Sequence, residues 1–198
     1  MSQSELITPT APLEGEVTID LRNTAPGLSV ELIGPGEGTA ARLFCLETIR
    51  EVFGLEYRAD WHADLDALEQ PEHLYSPSQG GAFLVARRNG VIIGTAGLRP
   101  LTSSDKFTWR FADRYPAPEE VGSVWRTYLE PSERSKGFGA ELMVDLEKRA
   151  SELGYRRLYL HTSRLSPRSV SFWKRQGYAE FVNDLDAEAT VHLDKTIS

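Results

Sequence analysis

The chain is poor in cysteine, in long apolar runs and in basic residues, and each shortage excludes a class of protein. Cys45 is the only cysteine among 198 residues, so no intrachain disulfide can form and a reducing compartment is expected. No apolar run approaches the about 20 residues that a membrane-spanning helix needs. The N-terminus also lacks the basic start and apolar stretch of a secretory signal. We therefore expect a cytoplasmic protein without membrane association.

The charge balance argues against a nucleic-acid partner. Lys and Arg total 22 against 29 Asp and Glu, which gives a net charge of −7. Proteins that bind nucleic acid usually carry a basic patch or stripe. The histidines His62, His73 and His192 show no metal-ligand spacing among themselves or with Cys45, so no metal site is expected. The oligomeric state, a homodimer included, is left open.

Two regions are expected along the chain. Residues 1–27 are rich in Ser, Thr, Pro and Glu and are predicted to be flexible, with an alternating stretch at 16–21 that is compatible with a short strand. Residues 28–198 are predicted to form one α/β domain with at least one parallel strand pair. Strands are predicted at residues 28–33, 83–88, 91–98, 121–129, 156–162, 178–182 and 190–193. Helices are predicted at residues 39–53, 61–68 and 137–153 and between Ser166 and Gly177.

Periodicity also predicts which helix residues face the core. The predicted inward residues are Leu43, Leu46, Ile49 and Phe53 in the first helix, Trp61, Leu65 and Leu68 in the second, and Leu142, Met143, Leu146, Ala150 and Leu153 in the third. Asn89-Gly90 predicts a two-residue hairpin turn. Residues 99–120 are expected to be a long connection, with a strand at 107–111 as the alternative.

Residues 121–140 carry the clearest functional pattern, because a strand leads through a short turn into a helix that begins with Gly-x-Gly. The first N–H groups of a helix have no partner within it, and the helix dipole makes that end positive, so such an end binds phosphate. Gly137 and Gly139 would let a pyrophosphate approach the backbone, and Arg134 and Lys136 add positive charge. The alternative is a helix start whose glycines serve only close packing.

Two other phosphate-binding motifs do not fit this segment. A P-loop needs lysine directly after its second glycine, whereas Lys136 precedes Gly137. A dinucleotide-binding turn needs a third glycine where this chain has Leu142. A nucleotide-binding enzyme that uses the same helix N-terminus remains a rival hypothesis.

Two motifs resemble the GNAT superfamily of N-acetyltransferases. The sequence RSKGFG at residues 134–139 matches the superfamily signature Gln/Arg-x-x-Gly-x-Gly/Ala. The sequence SVSFWKRQGY at residues 169–178 resembles the helix-to-strand segment A-x-x-x-Y-x-x-x-G-F. The order of elements over residues 28–193 also fits. The resemblance implies a mixed, mostly antiparallel sheet with a central parallel pair of splayed strands, flanked by helices.

The resemblance further implies acetyl-CoA as co-substrate and an amine of a small molecule or peptide as acceptor. The amine would attack the thioester where the strands at 121–129 and 156–162 splay apart, with a base, a carbonyl-oxygen donor and an acid to assist. Backbone groups of Tyr128 and Leu129 would pair with the pantetheine arm. The pyrophosphate would be held by backbone amides of Ser135, Lys136, Gly137, Phe138, Gly139 and Ala140.

The chain departs from the family pattern at three positions. Ser123 stands where many members carry a glutamate, and a serine can position a water but is no strong base. Trp173 stands where a tyrosine often acts as the acid, and Ser166 replaces an asparagine that often contacts the coenzyme. If the protein is an enzyme, Glu120 and His161 are the candidate bases; the alternative is an amine that binds already neutral, with water carrying the proton. The structural alternatives are an exposed loop carboxylate for Glu120 and a hydrogen-bonded core histidine for His161. A catalytically inactive acyl-CoA-binding sensor or interaction module is the alternative function.

Three aromatic residues are candidates for the lining of an acceptor pocket. Trp109 and Phe111 lie in the long connection, and Trp125 lies in the strand at 121–129. Packing in the core is the alternative, since aromatic side chains more often serve there.

Overall fold

The computed structural model describes residues 27–184 and 189–198 as a seven-stranded sheet with helices on both faces. The predicted flexible segment, with its stretch at 16–21, lies outside the described residues apart from Gly27. The strands are β1 (Leu28–Leu32), β2 (Ala82–Arg88), β3 (Val91–Pro100), β4 (Val121–Leu129), β5 (Arg157–Ser163), β6 (Ala179–Asn183) and β7 (Thr190–Thr196). The α-helices are α1 (Gly38–Phe53), α2 (Ala59–Asp66), α3 (Asp105–Arg110), α4 (Phe138–Glu152) and α5 (Pro167–Arg175).

The sheet is mostly antiparallel, in the order β1-β2-β3-β4-β5-β7-β6. Among the described strands, β4 and β5 form the only parallel pair, at the centre of the sheet. The predicted fold class is therefore confirmed. The predicted hairpin is also confirmed, because β2 and β3 are joined by Asn89 and Gly90, whose φ angles of 50° and 82° are those of a type I′ turn.

The parallel pair is short, and the two strands then separate. Pairing joins Val121 to Arg157, Gly122 to Leu158 and Ser123 to Tyr159, and no register pair follows. Beyond that point β4 continues along β3 and β5 continues along β7. An opening between β4 and β5 therefore begins just after Ser123.

A β-bulge in β4 accompanies this separation. Thr95 of β3 pairs with Tyr128 and Gly97 pairs with Trp125, so two residues of β4 lie opposite one residue of β3. One of the two is Arg126, whose φ of 48° is left-handed. Such an extra residue bends its strand and increases the local twist, which turns the second half of β4 away from β5.

A buried ion pair holds the bulge residue in place. Arg126 Nη2 and Nε lie 2.6 and 2.9 Å from the two carboxylate oxygens of Asp64 in α2, and Nη2 also donates to the Trp61 carbonyl. The Tyr75 hydroxyl donates to the same carboxylate, and Thr95 Oγ1 donates to the Arg126 carbonyl over 2.8 Å. Burial alone would raise the pKa of Asp64, but the hydrogen bonds from Arg126 and Tyr75 outweigh it and lower that pKa.

The hydrophobic core has two layers, one on each face of the sheet. Helices α4 and α5 cover one face, where Leu142, Met143 and Leu146 pack on strand residues such as Leu98 and Leu160. Helices α1 and α2 cover part of the other face, and α3 with its aromatic residues covers the rest. The predicted inward face of α4 is correct except at Leu153, which is exposed.

The predicted inward faces of α1 and α2 are wrong in part. Leu43 and Phe53 are 49% and 43% exposed, and α1 buries small residues instead. Those small residues are Gly38, Ala41, Cys45 and Thr48, whereas Ile49 is buried as predicted. The helix lies close to its neighbours, since a Cβ added at Gly38 would come within 2.7 Å of the Leu68 backbone. In α2, Trp61 is exposed and His62 is buried in its place.

The alternative strand at residues 107–111 is also wrong, because this stretch lies in the short helix α3 and the turn after it. Phe107 and Phe111 are buried and pack around Tyr159 of β5, whereas Trp109 is 85% exposed. Trp109 therefore lines no pocket. None of the described helices is long and apolar enough to cross a bilayer.

We predict that Asp64→Asn destabilises the protein by about 3–5 kcal/mol, because removal of one partner leaves the buried Arg126 charge uncompensated. Asp66→Asn, two positions along the same helix, is the matched control. Asp66 pairs with Arg42 on the surface, so we expect a loss of at most about 1 kcal/mol. The free energy of unfolding in urea measures both. Equal losses in the two variants would contradict the prediction.

Candidate functional site

The connection from β4 to α4 presents a concave row of free backbone N–H groups. After a single 3₁₀ turn at Pro131–Glu133, Ser135 and Gly137 take left-handed conformations with φ of 62° and 93°. In the described part of the chain, no backbone carbonyl or capping side chain accepts a hydrogen bond from the N–H groups of residues 135–139. Backbone that alternates in this way forms an anion-binding nest, and the adjacent helix dipole adds positive potential.

The two glycines of this connection are required for different reasons. A Cβ added at Gly139 would lie 3.2 Å from Cε2 of Phe172, so Gly139 permits close packing of α4 on α5. A Cβ added at Gly137 would meet nothing within 4 Å, yet its φ of 93° disfavours any other residue. The close-packing alternative therefore explains Gly139 and fails for Gly137.

The predicted basic residues of the loop are engaged within the protein. Arg134 Nε donates to the Leu129 carbonyl over 3.0 Å, which ties the loop back to the end of β4. Lys136 Nζ lies 3.3 Å from a Glu133 oxygen that also accepts from Arg88. The Glu133 carboxylate therefore offsets much of the added positive charge, and the attraction for an anion rests mainly on the backbone.

The remaining residues predicted to contact the cofactor divide between surface and core. Ser166 lies at the start of α5 and is partly exposed, with its hydroxyl bonded to that of Ser169. Trp173 is only 7% exposed and packs against Phe172 and Tyr178 in the main core. The structure thus places most of the Trp173 side chain in the core, and its contact with a cofactor stays a prediction. The ring of Tyr128 packs on the cluster beneath α1.

Side chains from three strands and one helix meet at the opening between β4 and β5. The guanidinium carbon of Arg99 lies 3.8 Å from the ring centre of Trp125, and that ring lies 4.9 Å from the imidazole of His161. Phe107 of α3 covers the imidazole at a ring distance of 4.9 Å. This row, consisting of Arg99, Trp125 and His161 with Phe107 above it, is the candidate acceptor site.

Two of the predicted catalytic residues lie outside this row. Ser123 is buried, and its Oγ accepts a hydrogen bond of 2.6 Å from Nε1 of Trp125, so it orients the indole. Glu120 is exposed at the N-terminal end of β4, where its carboxylate faces Arg156 at 4.0 Å. That end of the parallel pair is closed, because the strands separate only after Ser123.

His161 is the predicted base that the structure does place at the opening. Its Nδ1 is enclosed without a hydrogen-bond partner, while the side chain keeps partial exposure, so Nε2 is the nitrogen that a bound molecule can reach. Burial, followed by the nearby His192, Arg99, Lys106 and Arg126, lowers the pKa of His161 to about 3. The imidazole is therefore neutral at neutral pH and able to accept a proton.

Sequence patterns missed Arg99, Asp64 and Arg126 as site residues. The available signal was an arginine on the same face of an apolar strand as Thr95 and Gly97, where a buried charge is unusual. Asp64 and Arg126 are 62 residues apart, and no local pattern joins them.

Comparison with known proteins places this geometry in a family. Residues 46–178 match the model of the acetyltransferase (GNAT) family. The chain belongs to that family. The Escherichia coli (strain K12) protein YjgM, described as an uncharacterised N-acetyltransferase, is 26% identical over 131 residues, which cover 66% of this chain and 67% of that protein.

Solved GNAT structures share the fold. A GNAT acetyltransferase from Staphylococcus aureus Mu50 superposes with a TM-score of 0.68 at 19% identity, over 86% of this chain and 99% of the other. YncA from Salmonella typhimurium, solved with its cofactor acetyl-CoA, gives a TM-score of 0.63 at 15% identity, over 87% and 95% of the two chains. The GNAT resemblance noted in the motifs is thereby confirmed.

The enclosed imidazole of His161 predicts a dependence of stability on pH. The pKa of His161 in the native state lies below the ordinary value of 6.5. As the pH falls below 6.5, the unfolded chain therefore binds a proton at this residue that the native state does not bind. The free energy of unfolding should fall between pH 6.5 and about 3, by at most about 1.4 kcal/mol per pH unit. In His161→Gln this contribution should be absent.

Urea unfolding at several pH values between 7.5 and 4.5 checks this prediction. His73→Gln is the control, because burial lowers the pKa of His73 by a smaller amount. It should therefore remove a smaller part of the pH dependence than His161→Gln. A His161→Gln variant that keeps the wild-type dependence would show that the native imidazole titrates normally.

Proposed function

We propose that this protein transfers an acetyl group from acetyl-CoA to an amine of a small molecule or peptide. The observation that carries the proposal is the nest of free N–H groups at residues 135–139, which lies where β4 leaves the splayed pair. A pyrophosphate suits this nest because its oxygens accept several hydrogen bonds and its charge favours a helix N-terminus. Family membership supports the same assignment.

The route of the cofactor follows from the unpaired edge of β4. Beyond Ser123 this edge has no register partner in β5. The pantetheine arm would lie along it past Tyr128 and Leu129, as an additional strand would. Arg134 already occupies the Leu129 carbonyl, so the arm pairs with other backbone groups of this edge or displaces that contact. The thioester would then lie in the opening, beside Trp125 and His161.

In the proposed reaction the amine nitrogen attacks the thioester carbonyl carbon, a C–N bond forms and the C–S bond breaks. Coenzyme A leaves as a thiolate that takes a proton from solvent. The amine must lose a proton, and Nε2 of the neutral His161 is the acceptor we assign. A nitrogen that has attacked a carbonyl carries a far more acidic proton than a free ammonium, so a weak base suffices at that step.

A catalytically inactive acyl-CoA-binding module is the second candidate. The two family positions hold a buried serine and a buried tryptophan, and neither side chain is a strong acid or base. Steady-state release of the coenzyme A thiol with a panel of amines separates the two functions. Amine-dependent release supports the enzyme, whereas acetyl-CoA binding without release with any amine supports the module.

Cofactor binding should depend on Gly137 through its backbone conformation. Gly137→Ala imposes roughly 1–2 kcal/mol of strain on a left-handed residue and should distort the nest, so we expect it to abolish the rise in melting temperature that acetyl-CoA causes. Gly154→Ala is the matched control, because Gly154 has a φ of 90°, equally open surroundings and a position just after the other end of α4.

Thermal shift measurements with acetyl-CoA, ATP and NAD check this prediction and the nucleotide-binding rival together. The Gly154→Ala variant should keep the acetyl-CoA shift despite its similar loss of stability. If acetyl-CoA raised the melting temperature of Gly137→Ala as much as that of the wild type, the pyrophosphate could not be assigned to this loop. A larger shift with ATP or NAD than with acetyl-CoA would favour the nucleotide-binding enzyme.

The two candidate bases should differ in their effect on turnover. His161→Gln should lower kcat at least about tenfold, since a single base contributes typically about 10²–10⁴ in rate and water can replace part of it. Glu120→Gln should leave kcat unchanged, because Glu120 lies at the closed end of β4. Acetyl-CoA affinity should be the same in both variants. Loss of turnover in Glu120→Gln alone would reverse the assignment.

A further inference from the structure

Arg99 is a buried cation that forms no ion pair within the described part of the chain. It lies near the C-terminal end of β3, and only 8% of the residue is exposed. Its Nε is enclosed with no hydrogen-bond partner, and across residues 27–184 and 189–198 its guanidinium forms no ion pair with a carboxylate. Buried charges are normally paired, because the loss of hydration must be offset.

A carboxylate close enough to act on Arg99 electrostatically, that of Asp64, is already committed. Asp64 accepts two hydrogen bonds from Arg126 and one from the Tyr75 hydroxyl. The guanidinium groups of Arg99 and Arg126 therefore share one carboxylate, and the three side chains together carry a net positive charge. An anion that entered the site would complete the pairing.

A purely structural role does not explain the residue. Arg99 stacks on the Trp125 ring at 3.8 Å, but a leucine or methionine would support the indole without the burial of a charge. The positive charge is also felt across the site. Arg99, Arg126 and Lys106 all help to lower the pKa of His161, although the whole chain has a net charge of −7.

We propose that Arg99 binds a carboxylate group of the acceptor, so that the acceptor is an amino-acid-like amine. The inference rests on the proposed acetyl transfer and names its substrate class. Carboxylate is the favoured anion, because its planar pair of oxygens matches the fork of a guanidinium. With the carboxylate at Arg99, the amine of the same molecule extends past Trp125 toward His161 at the other end of the row.

Matched acceptors test the inference without any mutation. Several amino acids are each compared with their amide and their descarboxy amine, for example leucine, leucinamide and isopentylamine. We expect kcat/KM to be at least about tenfold higher for the acid, because a site built for a polar group rejects an analogue that lacks it. The comparison with the amide is the stringent one, since the amine of an amide is less basic and more of it is unprotonated at neutral pH, whereas the descarboxy amine is more basic than the acid.

Variants assign the preference to Arg99. In Arg99→Gln the ratio of kcat/KM for the acid to kcat/KM for the amide should fall close to one. Arg99→Lys keeps the charge and loses the planar fork of the guanidinium, so it should retain part of the wild-type ratio. Arg149→Gln in α4 is the control for a change of net charge, because α4 covers the opposite face of the sheet. Acetyl-CoA affinity should be unchanged in all three variants.

Calorimetric binding of each acceptor to the protein loaded with coenzyme A gives a readout independent of turnover. Acids and amides that react and bind equally well in the wild type would overturn the inference and leave acetyl transfer intact. If no amine is acetylated, the proposed function fails, and the binding preference with its loss in Arg99→Gln still decides the inference. Phosphoethanolamine is a further arm. A preference for it over every amino acid would overturn the carboxylate assignment in favour of a phosphate.

Discussion

The ion pair between Asp64 and Arg126 is the constraint on which the site depends. Arg126 adopts a left-handed φ of 48° inside a strand, which costs about 1–2 kcal/mol for a residue with a side chain. Its two hydrogen bonds to Asp64 and the bond from Thr95 to its carbonyl fix that conformation against α2 and β3. The resulting bulge diverts β4 from β5, and the nest lies just beyond the end of the diverted strand. A surface helix thereby determines the shape of a central opening.

The same pair explains why the opening is positively charged. Because Arg126 and Tyr75 use the Asp64 carboxylate, Arg99 has no ion pair of its own among the residues that the structure describes. The uncompensated charge lowers the native stability, since a charge buried without a partner is unfavourable. Such a cost in stability is typical of sites that are arranged before their ligand arrives, since a preorganised group spends no binding energy on its own rearrangement. Among the described residues, the candidate acceptor site holds two such groups, Nε of Arg99 and Nδ1 of His161, each enclosed without a hydrogen-bond partner.

Local sequence patterns were sufficient for the frame and for the position of the loop that leads into α4. The strand at 121–129, the Asn89-Gly90 turn and the helix start at Gly137 were predicted because each is specified by neighbouring residues. The inward face of α1 was missed, because close packing selects small residues such as Ala41 and Cys45 over the larger apolar ones that periodicity weighs most. Asp64 and Arg99 were missed for another reason, since a buried charge acquires its role from residues distant in sequence. The burial of Trp173 was not foreseen, because a motif aligns positions and does not show which way a side chain points.

The overall charge of the chain does not by itself predict the proposed ligands, because it says nothing of how charge is arranged locally. A net charge of −7 would repel coenzyme A at long range, yet charges in physiological salt are screened over about 8 Å. Within that distance the pyrophosphate would meet free N–H groups and a helix dipole, and a carboxylated amine would meet Arg99 where water is largely excluded and screening is weak. An acid that carries an amine is neutral overall, so the acidic surface does not oppose its approach. The surface charge and the local field therefore act on different steps, the first on encounter and the second on binding.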